Sequence, residues 1–221
     1  MFDITKLALK IPNFLTSKEC DGLINEFNER REEQKLESSK DYHTNRLKTS
    51  SFTVVPLISK TPNFNLIKEK TKKAVFQYLE YLSQPNYFFI DSLRNNLRFS
   101  HNYRIMEYNT GAEIHPHSDH APGTYGSISF NLNDDYKGGE FKFFNGNYTI
   151  SLKKGDALIF PADYFWVHEV SPVTEGVRYS LNSFLTALPY DVQNQWNYLG
   201  EVLNDHYVQN TPPEELLGPY N

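Results

Sequence analysis

Apolar positions change their period partway along the chain. Before about Leu97 they recur at helical spacing; beyond it they alternate in short runs broken by Gly, Pro, Asn and Asp. Cys20, Leu23, Ile24 and Phe27 make one apolar stripe, with Glu26, Arg30 and Glu33 left polar, and this predicts an amphipathic helix. Ahead of it Thr16 and Glu19 stand at the spacing of a capping box, in which each side chain bonds the other's backbone N–H. A second stripe, Ile67, Thr71, Ala74, Val75, Tyr78, Leu79 and Leu82, follows Thr61-Pro62, where proline suits a first helical position. Ile4 to Phe14 predicts a short strand with a turn at Pro12-Asn13. Glu32 to Ser51 is polar, charged and without a period, so a long mobile loop is expected there, of a kind that often covers a binding site.

Downstream, Asn102–Asn109, Ser127–Asn133, Glu140–Phe144, Tyr148–Leu152, Ala157–Phe160, Trp166–Val170 and Val177–Thr186 read as strands. Short strands at regular intervals with turn signals between them indicate a β-sandwich or barrel. A last helix is expected over about Val192 to Leu203, before a frayed acidic tail, residues 211–221. The strands carry a second message. Ile128, Phe130 and Leu132 oppose Ser127, Ser129 and Asn131; Val177, Tyr179 and Leu181 oppose Arg178, Ser180 and Asn182. If helices cover the outside, the polar stripes point inward, and a polar interior is costly unless it binds something polar.

Composition narrows the classes. The chain has 221 residues, 39% hydrophobic and 22% charged, an ordinary globular balance that suits one domain. Its formal charge is −5 with no basic run, which argues against nucleic acid as a partner. One cysteine, Cys20, makes no internal disulfide. With no signal-like start and no apolar run long enough to span a bilayer, a soluble cytoplasmic protein with no membrane partner is expected.

The run His115-Pro116-His117-Ser118-Asp119-His120 concentrates metal-ligating chemistry. On an extended segment residues two apart share a side, so His117 and Asp119 can reach one ion. His115 falls on that side too; its spacing alone does not exclude it, and the pairing with Asp119 favours His117. A third ligand must come from another strand, and His168, in Trp166-Val167-His168-Glu169-Val170, is the candidate. Two imidazoles and one carboxylate form the facial triad of non-haem Fe(II) oxygenases, whereas a structural zinc site wants four ligands, usually with cysteine. Ten residues past His168, Arg178 sits on an inward polar stripe with Ser180. Its planar fork of donors suits a carboxylate brought by a ligand; an internal salt bridge is the alternative.

Several motifs in order then resemble one family. They are Tyr108-Asn109-Thr110-Gly111 before His117-x-Asp119; Leu132-Asn133-Asp134 and Gly138-Gly139-Glu140-Phe141; Lys154-Gly155-Asp156-Ala157-Leu158-Ile159-Phe160; and the run from His168-Glu169-Val170 to Arg178-Tyr179-Ser180. Together with Asn13-Phe14-Leu15-Thr16 near the start and Lys48-Thr49-Ser50-Ser51, they resemble the prolyl 4-hydroxylase branch of the 2-oxoglutarate/Fe(II) oxygenases over roughly residues 8–186.

The resemblance implies a mainly β fold with flanking helices: a double-stranded β-helix (jelly roll) over about 97–186, supported by two N-terminal helices within 1–96, in a single oxygenase domain 1–210. It implies Fe(II) on His117, Asp119 and His168, and Arg178 paired with the distal carboxylate of 2-oxoglutarate. Tyr108 lies beside the co-substrate and Ser180 adds a hydrogen bond. Asn131 stands where the family often has tyrosine, so that contact is altered. Arg104, Met106, Trp166, Asn182 and Phe184 are candidate substrate-lining residues, and ascorbate is a candidate reductant. The expected reaction is hydroxylation of a substrate C–H bond, with a prolyl residue in a protein or peptide as first substrate. A small molecule such as a free amino acid is the second reading, and a non-catalytic jelly-roll binding domain the third.

Overall fold

Local rules set the first helix where expected. In the computed structural model, which describes residues 3–40, 49–84, 89–187 and 214–217, α1 spans Ser17–Glu29 behind a complete capping box. Glu19 N donates to Thr16 Oγ1 at 3.2 Å, and Thr16 N donates to Glu19 Oε2 at 2.8 Å. The strand β1 (Leu9–Ile11) precedes it; β2 (Lys35–Lys40) and β3 (Thr49–Pro56) follow, then α2 (Phe64–Ser83) and the short α3 (Ile90–Asn96). The remaining strands are β4 (Phe99–Tyr108), β5 (Ile114–His117), β6 (Thr124–Asn131), β7 (Lys137–Gly138), β8 (Phe141–Phe143), β9 (Tyr148–Ile150), β10 (Ala157–Pro161), β11 (His168–Val170), β12 (Val173–Glu175), β13 (Arg178–Thr186) and β14 (Glu214–Glu215).

These strands form a jelly roll of antiparallel sheets. The large sheet runs β1-β10-β6-β13-β4-β3-β2, with β14 also on β4; the small one runs β5-β11-β8-β9, and β12 pairs with β7. Register fixes which face each side chain takes. Ser180 opposes Asn131 and Asn182 opposes Ser129, so the polar stripes of β6 and β13 lie side by side. On the other face Ile105, Ile128, Phe130, Leu181 and Leu185 pack against Leu23, Phe27, Ile67 and Val75 of α1 and α2. Burying each such side chain contributes roughly 1.5–3 kcal/mol, enough to fix the strand faces. The helices therefore take the apolar face, and the polar stripe points into the roll.

The motif Lys154-Gly155-Asp156 has a structural meaning. Asp156 is 2% exposed, accepts N–H bonds from Asn13 and Lys153, and pairs with Lys10. Gly155 has φ +85°, and a Cβ there would lie 2.3 Å from the carbonyl oxygen of Leu15. One turn thus ties the N-terminal segment to β10.

Four expectations change. The stretch read as a loop over Glu32–Ser51 contains β2 and part of β3; its register Glu37↔Phe52 makes it a hairpin that extends the large sheet, with residues 41–48 outside the described residues. As an edge strand β2 is half solvated and has no alternating pattern to betray it. Ile4–Leu7 is a 3-10 turn, and only Leu9–Ile11 pair as strand. Glu26, read as part of the polar face of the helix, is 4% exposed and accepts from Arg30 and from the backbone and side chain of Asn63, joining α1 to the start of α2. The tail is not frayed where it is described: Glu214–Glu215 pair with β4, and Leu216 and Leu217 are buried. The helix expected over Val192–Leu203 lies outside the described residues. Among the described residues, no helix is long and apolar enough to cross a membrane.

Candidate metal centre and anion pocket

β5 and β11 are neighbours in the small sheet, and their register sets His117 opposite His168. Asp119 lies just past the end of β5. Ligand atoms of His117, Asp119 and His168 all fall within 4.8 Å of one another, so these three could hold one metal ion. His117 Nε2 is 3.3 Å from Asp119 Oδ1, and His168 Nε2 is 3.5 Å from Asp119 Oδ2.

Backbone carbonyls choose the imidazole nitrogens that face the centre. Nδ1 of His117 is 2.8 Å from the carbonyl oxygen of His115, and Nδ1 of His168 is 3.0 Å from that of Trp166. A carbonyl can only accept, so in each ring Nδ1 carries the hydrogen and Nε2 keeps its lone pair toward the centre. His115 itself contributes a carbonyl, and its ring stays outside the cluster. Ser127 on β6 donates to Asp119 Oδ2 at 2.6 Å, orienting the carboxylate across from the large sheet. Sequence reasoning placed Ser127 on the inward stripe but gave it no role.

Charge follows the same geometry. Burial pushes the Asp119 carboxyl up, but His168, His117 and the Ser127 hydroxyl outweigh it and hold it below the ordinary carboxylate range. Burial pushes His168 down to about 4, against the pull of Asp119, so it is a neutral ligand at pH 7. At His117 burial works in the same sense, yet the hydrogen bond and charge of Asp119 outweigh it and raise the imidazole above its usual value. An anionic carboxylate beside a neutral imidazole is a donor set ready for a cation.

Deeper in the roll lies Arg178, 1% exposed. Its guanidinium carbon sits 4.9 Å from the Tyr108 ring centroid and 5.6 Å from that of Phe141. Phe141 in turn stacks on His168 at 6.3 Å, so one aromatic ring separates the guanidinium from the metal cluster. Nη1 reaches Ser180 Oγ only at 3.5 Å, while Nε and Nη2 have no hydrogen-bond partner among the described residues. A desolvated guanidinium with no carboxylate beside it is expensive, and a bound dicarboxylate would supply what it lacks. Burial raises the Tyr108 phenol, against the opposing charge of Arg178, so it remains a neutral hydroxyl.

The other expected residues divide. Asn131 is 0% exposed and satisfied internally: its Nδ2 donates to the carbonyl of Asn133 at 2.6 Å, and its Oδ1 accepts from the Tyr136 hydroxyl at 3.0 Å. The Asn131 amide is thus held by the chain's own groups. A tyrosine hydroxyl does stand beside it, supplied by Tyr136 from the following turn. Trp166, expected to line the substrate, is 1% exposed in a cluster with Phe143, Phe144 and Phe160, so its indole belongs to the core. Met106 is buried in a cluster with Phe52 and Tyr108, and Asn182 accepts from Ser129 at 2.9 Å. Arg104 and Phe184 lie together, 6.0 Å apart, on the stripe nearer Ser127. Gly139 was quoted only as part of a motif, yet a Cβ there would stand 2.7 Å from Arg178 Cδ.

Comparison with known proteins agrees with this architecture. Residues 103–186 match the model of the 2OG-Fe(II) oxygenase superfamily, a stretch that contains the three clustered ligands and Arg178. No curated protein matches the sequence. Among solved structures, the chain is similar to a viral collagen prolyl hydroxylase from Paramecium bursaria Chlorella virus-1 in its 2OG complex, at 17% identity and TM-score 0.58, over 82% of this chain and 97% of that one. It is similar to a Pseudomonas putida prolyl-4-hydroxylase at 17% identity and TM-score 0.58, over 81% and 92%. A Trichoplax adhaerens prolyl hydroxylase, in complex with a peptide fragment of the hypoxia inducible factor oxygen degradation domain, gives 16% identity and TM-score 0.60, over 83% and 84%. At these identities the likeness carries the jelly-roll fold.

Proposed function

We propose, from the premise that residues 103–186 are a domain of the 2OG-Fe(II) oxygenase superfamily, that this chain is an Fe(II)- and 2-oxoglutarate-dependent dioxygenase. The observation that carries the reading is the pairing of two sites in one roll. Two imidazole Nε2 atoms and a carboxylate converge on a point, and a buried guanidinium with unmet donors lies one ring deeper. Neither feature alone asks for both a divalent ion and a dicarboxylate. The substrate we propose is a prolyl residue of a protein or peptide. The prolyl hydroxylases among similar structures, one of them holding a peptide, support that choice.

When bound, Fe(II) and 2-oxoglutarate would supply chemistry in which dioxygen is the oxidant: one oxygen atom enters succinate as carbon dioxide leaves, and the other becomes the hydroxyl on a substrate carbon. The chain's own residues supply position and charge. His117 and His168 would hold the ion through Nε2, with their Nδ1 hydrogens pinned by the carbonyls of His115 and Trp166. Asp119 would complete the set, held by the Ser127 hydroxyl. Arg178 would pair the distal carboxylate of 2-oxoglutarate, with Ser180 and the neutral Tyr108 hydroxyl beside it. Phe141, Phe143 and Phe160 pack around His168, which is buried, and shield that ligand from water. Ascorbate is the candidate reductant, and residues 1–210 act as one oxygenase domain.

The test is succinate release from 2-oxoglutarate by the purified protein with Fe(II), together with mass spectrometry of proline-containing peptides for the gain of one oxygen atom. Absence of Fe(II)-dependent succinate would reject the oxygenase. Succinate without any oxidised prolyl residue would reject the substrate.

A further inference from the structure

A second guanidinium enters the same roll from the middle of β4. Arg104, Met106 and Tyr108 share the inner face of that strand; Tyr108 opposes Arg178 in register, and Arg104 opposes Asn182. Asn182 opposes Ser129, two residues from the Ser127 that orients Asp119. At about 3.3 Å per residue, some 13 Å of strand separates the two arginine positions. Arg178 therefore stands at the deep end and Arg104 near the metal ligands.

Arg104 is 8% exposed, and its guanidinium is only partly used. Nη1 donates to Glu37 Oε2 at 2.8 Å, while Nε has no partner among the described residues. A guanidinium presents its donors as a planar fork that a carboxylate can take two at a time. Glu37 takes one. It comes from β2, whose sheet neighbour is β3, so it reaches Arg104 across the hairpin by side chain alone. That hairpin also carries Ser39 and Ser50, which accept the backbone N–H groups of His115 and Glu113 and so close it against the metal-bearing strand. Glu37 is the more exposed partner, with 29% of its side-chain surface open against 10% for Arg104, and is the one free to withdraw.

We infer that Arg104 is a substrate-anion site: the substrate brings a carboxylate that replaces Glu37 on the Arg104 fork beside the metal centre. This rests on the oxygenase reading, in which 2-oxoglutarate has its own carboxylates committed to the metal and to Arg178. The anion at Arg104 must then belong to the other reactant. Two sources share that chemistry, the α-carboxylate of a free amino acid and an acidic side chain next to the target residue of a peptide.

The test uses the whole protein loaded with Mn(II) and N-oxalylglycine, and reads binding by calorimetry. Failure of the oxygenase reading appears at once, as no Mn(II)-dependent binding of N-oxalylglycine. Two pairs of probes follow: free L-proline against N-acetyl-L-prolinamide, and acetyl-Glu-Pro-Gly-amide against acetyl-Gln-Pro-Gly-amide. The acid of one pair should bind at least about tenfold more tightly than its neutral partner, the scale of one charge-assisted hydrogen bond. The pair that responds identifies the source. Arg104→Gln should erase the preference while leaving N-oxalylglycine binding unchanged. The exchange Arg104→Glu with Glu37→Arg keeps an ion pair between hairpin and β4, so it restores a merely structural latch but not the preference for the acid. Equal binding within both pairs, no binding of either acid, or recovery of the preference in the exchanged protein would overturn the proposal.

Discussion

Gly139 lies against the stem of Arg178: a Cβ at position 139 would stand 2.7 Å from Arg178 Cδ and 3.1 Å from the Tyr136 ring. The glycine also has φ +70°, where any side chain is strained. Gly139→Ala should therefore displace the guanidinium without touching the metal ligands. The expected outcome is a roughly tenfold rise in the 2-oxoglutarate concentration needed for half-maximal succinate release, about the value of one charge-assisted hydrogen bond, with Fe(II) dependence little changed.

Arg178→Ala removes the guanidinium itself and should act in the same direction and further. The 2-oxoglutarate requirement should rise about a hundredfold, far more than the Fe(II) requirement. Equal effects on both, measured as succinate release at varied co-substrate and metal, would mean that Arg178 serves the fold and not the anion.

Asp119→Ala or His168→Ala should abolish succinate formation while the circular dichroism spectrum is retained, because neither residue belongs to the hydrophobic clusters that hold the helices and sheets together. Ser127→Ala is the subtler case. It leaves every ligand in place but frees the Asp119 carboxylate to rotate. Loss of such an orienting partner typically weakens metal affinity about 10–100-fold, which Mn(II) titration would read directly.

Asp156 predicts how stability responds to acid. Burial pushes its carboxyl up, but the Lys153 and Asn13 N–H groups and Lys10 outweigh it, so its folded pKa is lowered. A group with a depressed folded pKa contributes stability above the unfolded carboxylate range and loses it as pH falls through the folded value. Asp156→Ala should cost about 2–3 kcal/mol at pH 7, and the difference from wild type should shrink as the pH falls below 4. Urea midpoints at pH 7 and pH 3 would check both halves.

Much of this was legible in the chain because it is local. The Thr16–Glu19 capping box, the helical stripes and the opposed faces of Ser127–Asn133 and Arg178–Thr186 depend on side chains a few residues apart. The edge strand β2 was not legible, since a strand solvated on one face and unpaired on one side carries no apolar alternation. Glu26 looked like part of the polar helix face for a related reason: its partner Asn63 lies 37 residues away. Trp166 shares a strand face with His168 by counting, but the aromatic packing of Phe143, Phe144 and Phe160 takes the indole into the core.

The sequence by itself determined the chemical inventory: two histidines and an aspartate suited to one cation, an arginine on an inward stripe, and strands whose faces were already divided. Only the tertiary structure decided which atoms are free to use. The backbone carbonyls of His115 and Trp166 select the Nε2 faces, Tyr136 occupies Asn131, and Gly139 makes room for Arg178. Such choices are made by groups distant in the chain that meet only when the two sheets close, and residue spacing does not encode the direction from which they arrive.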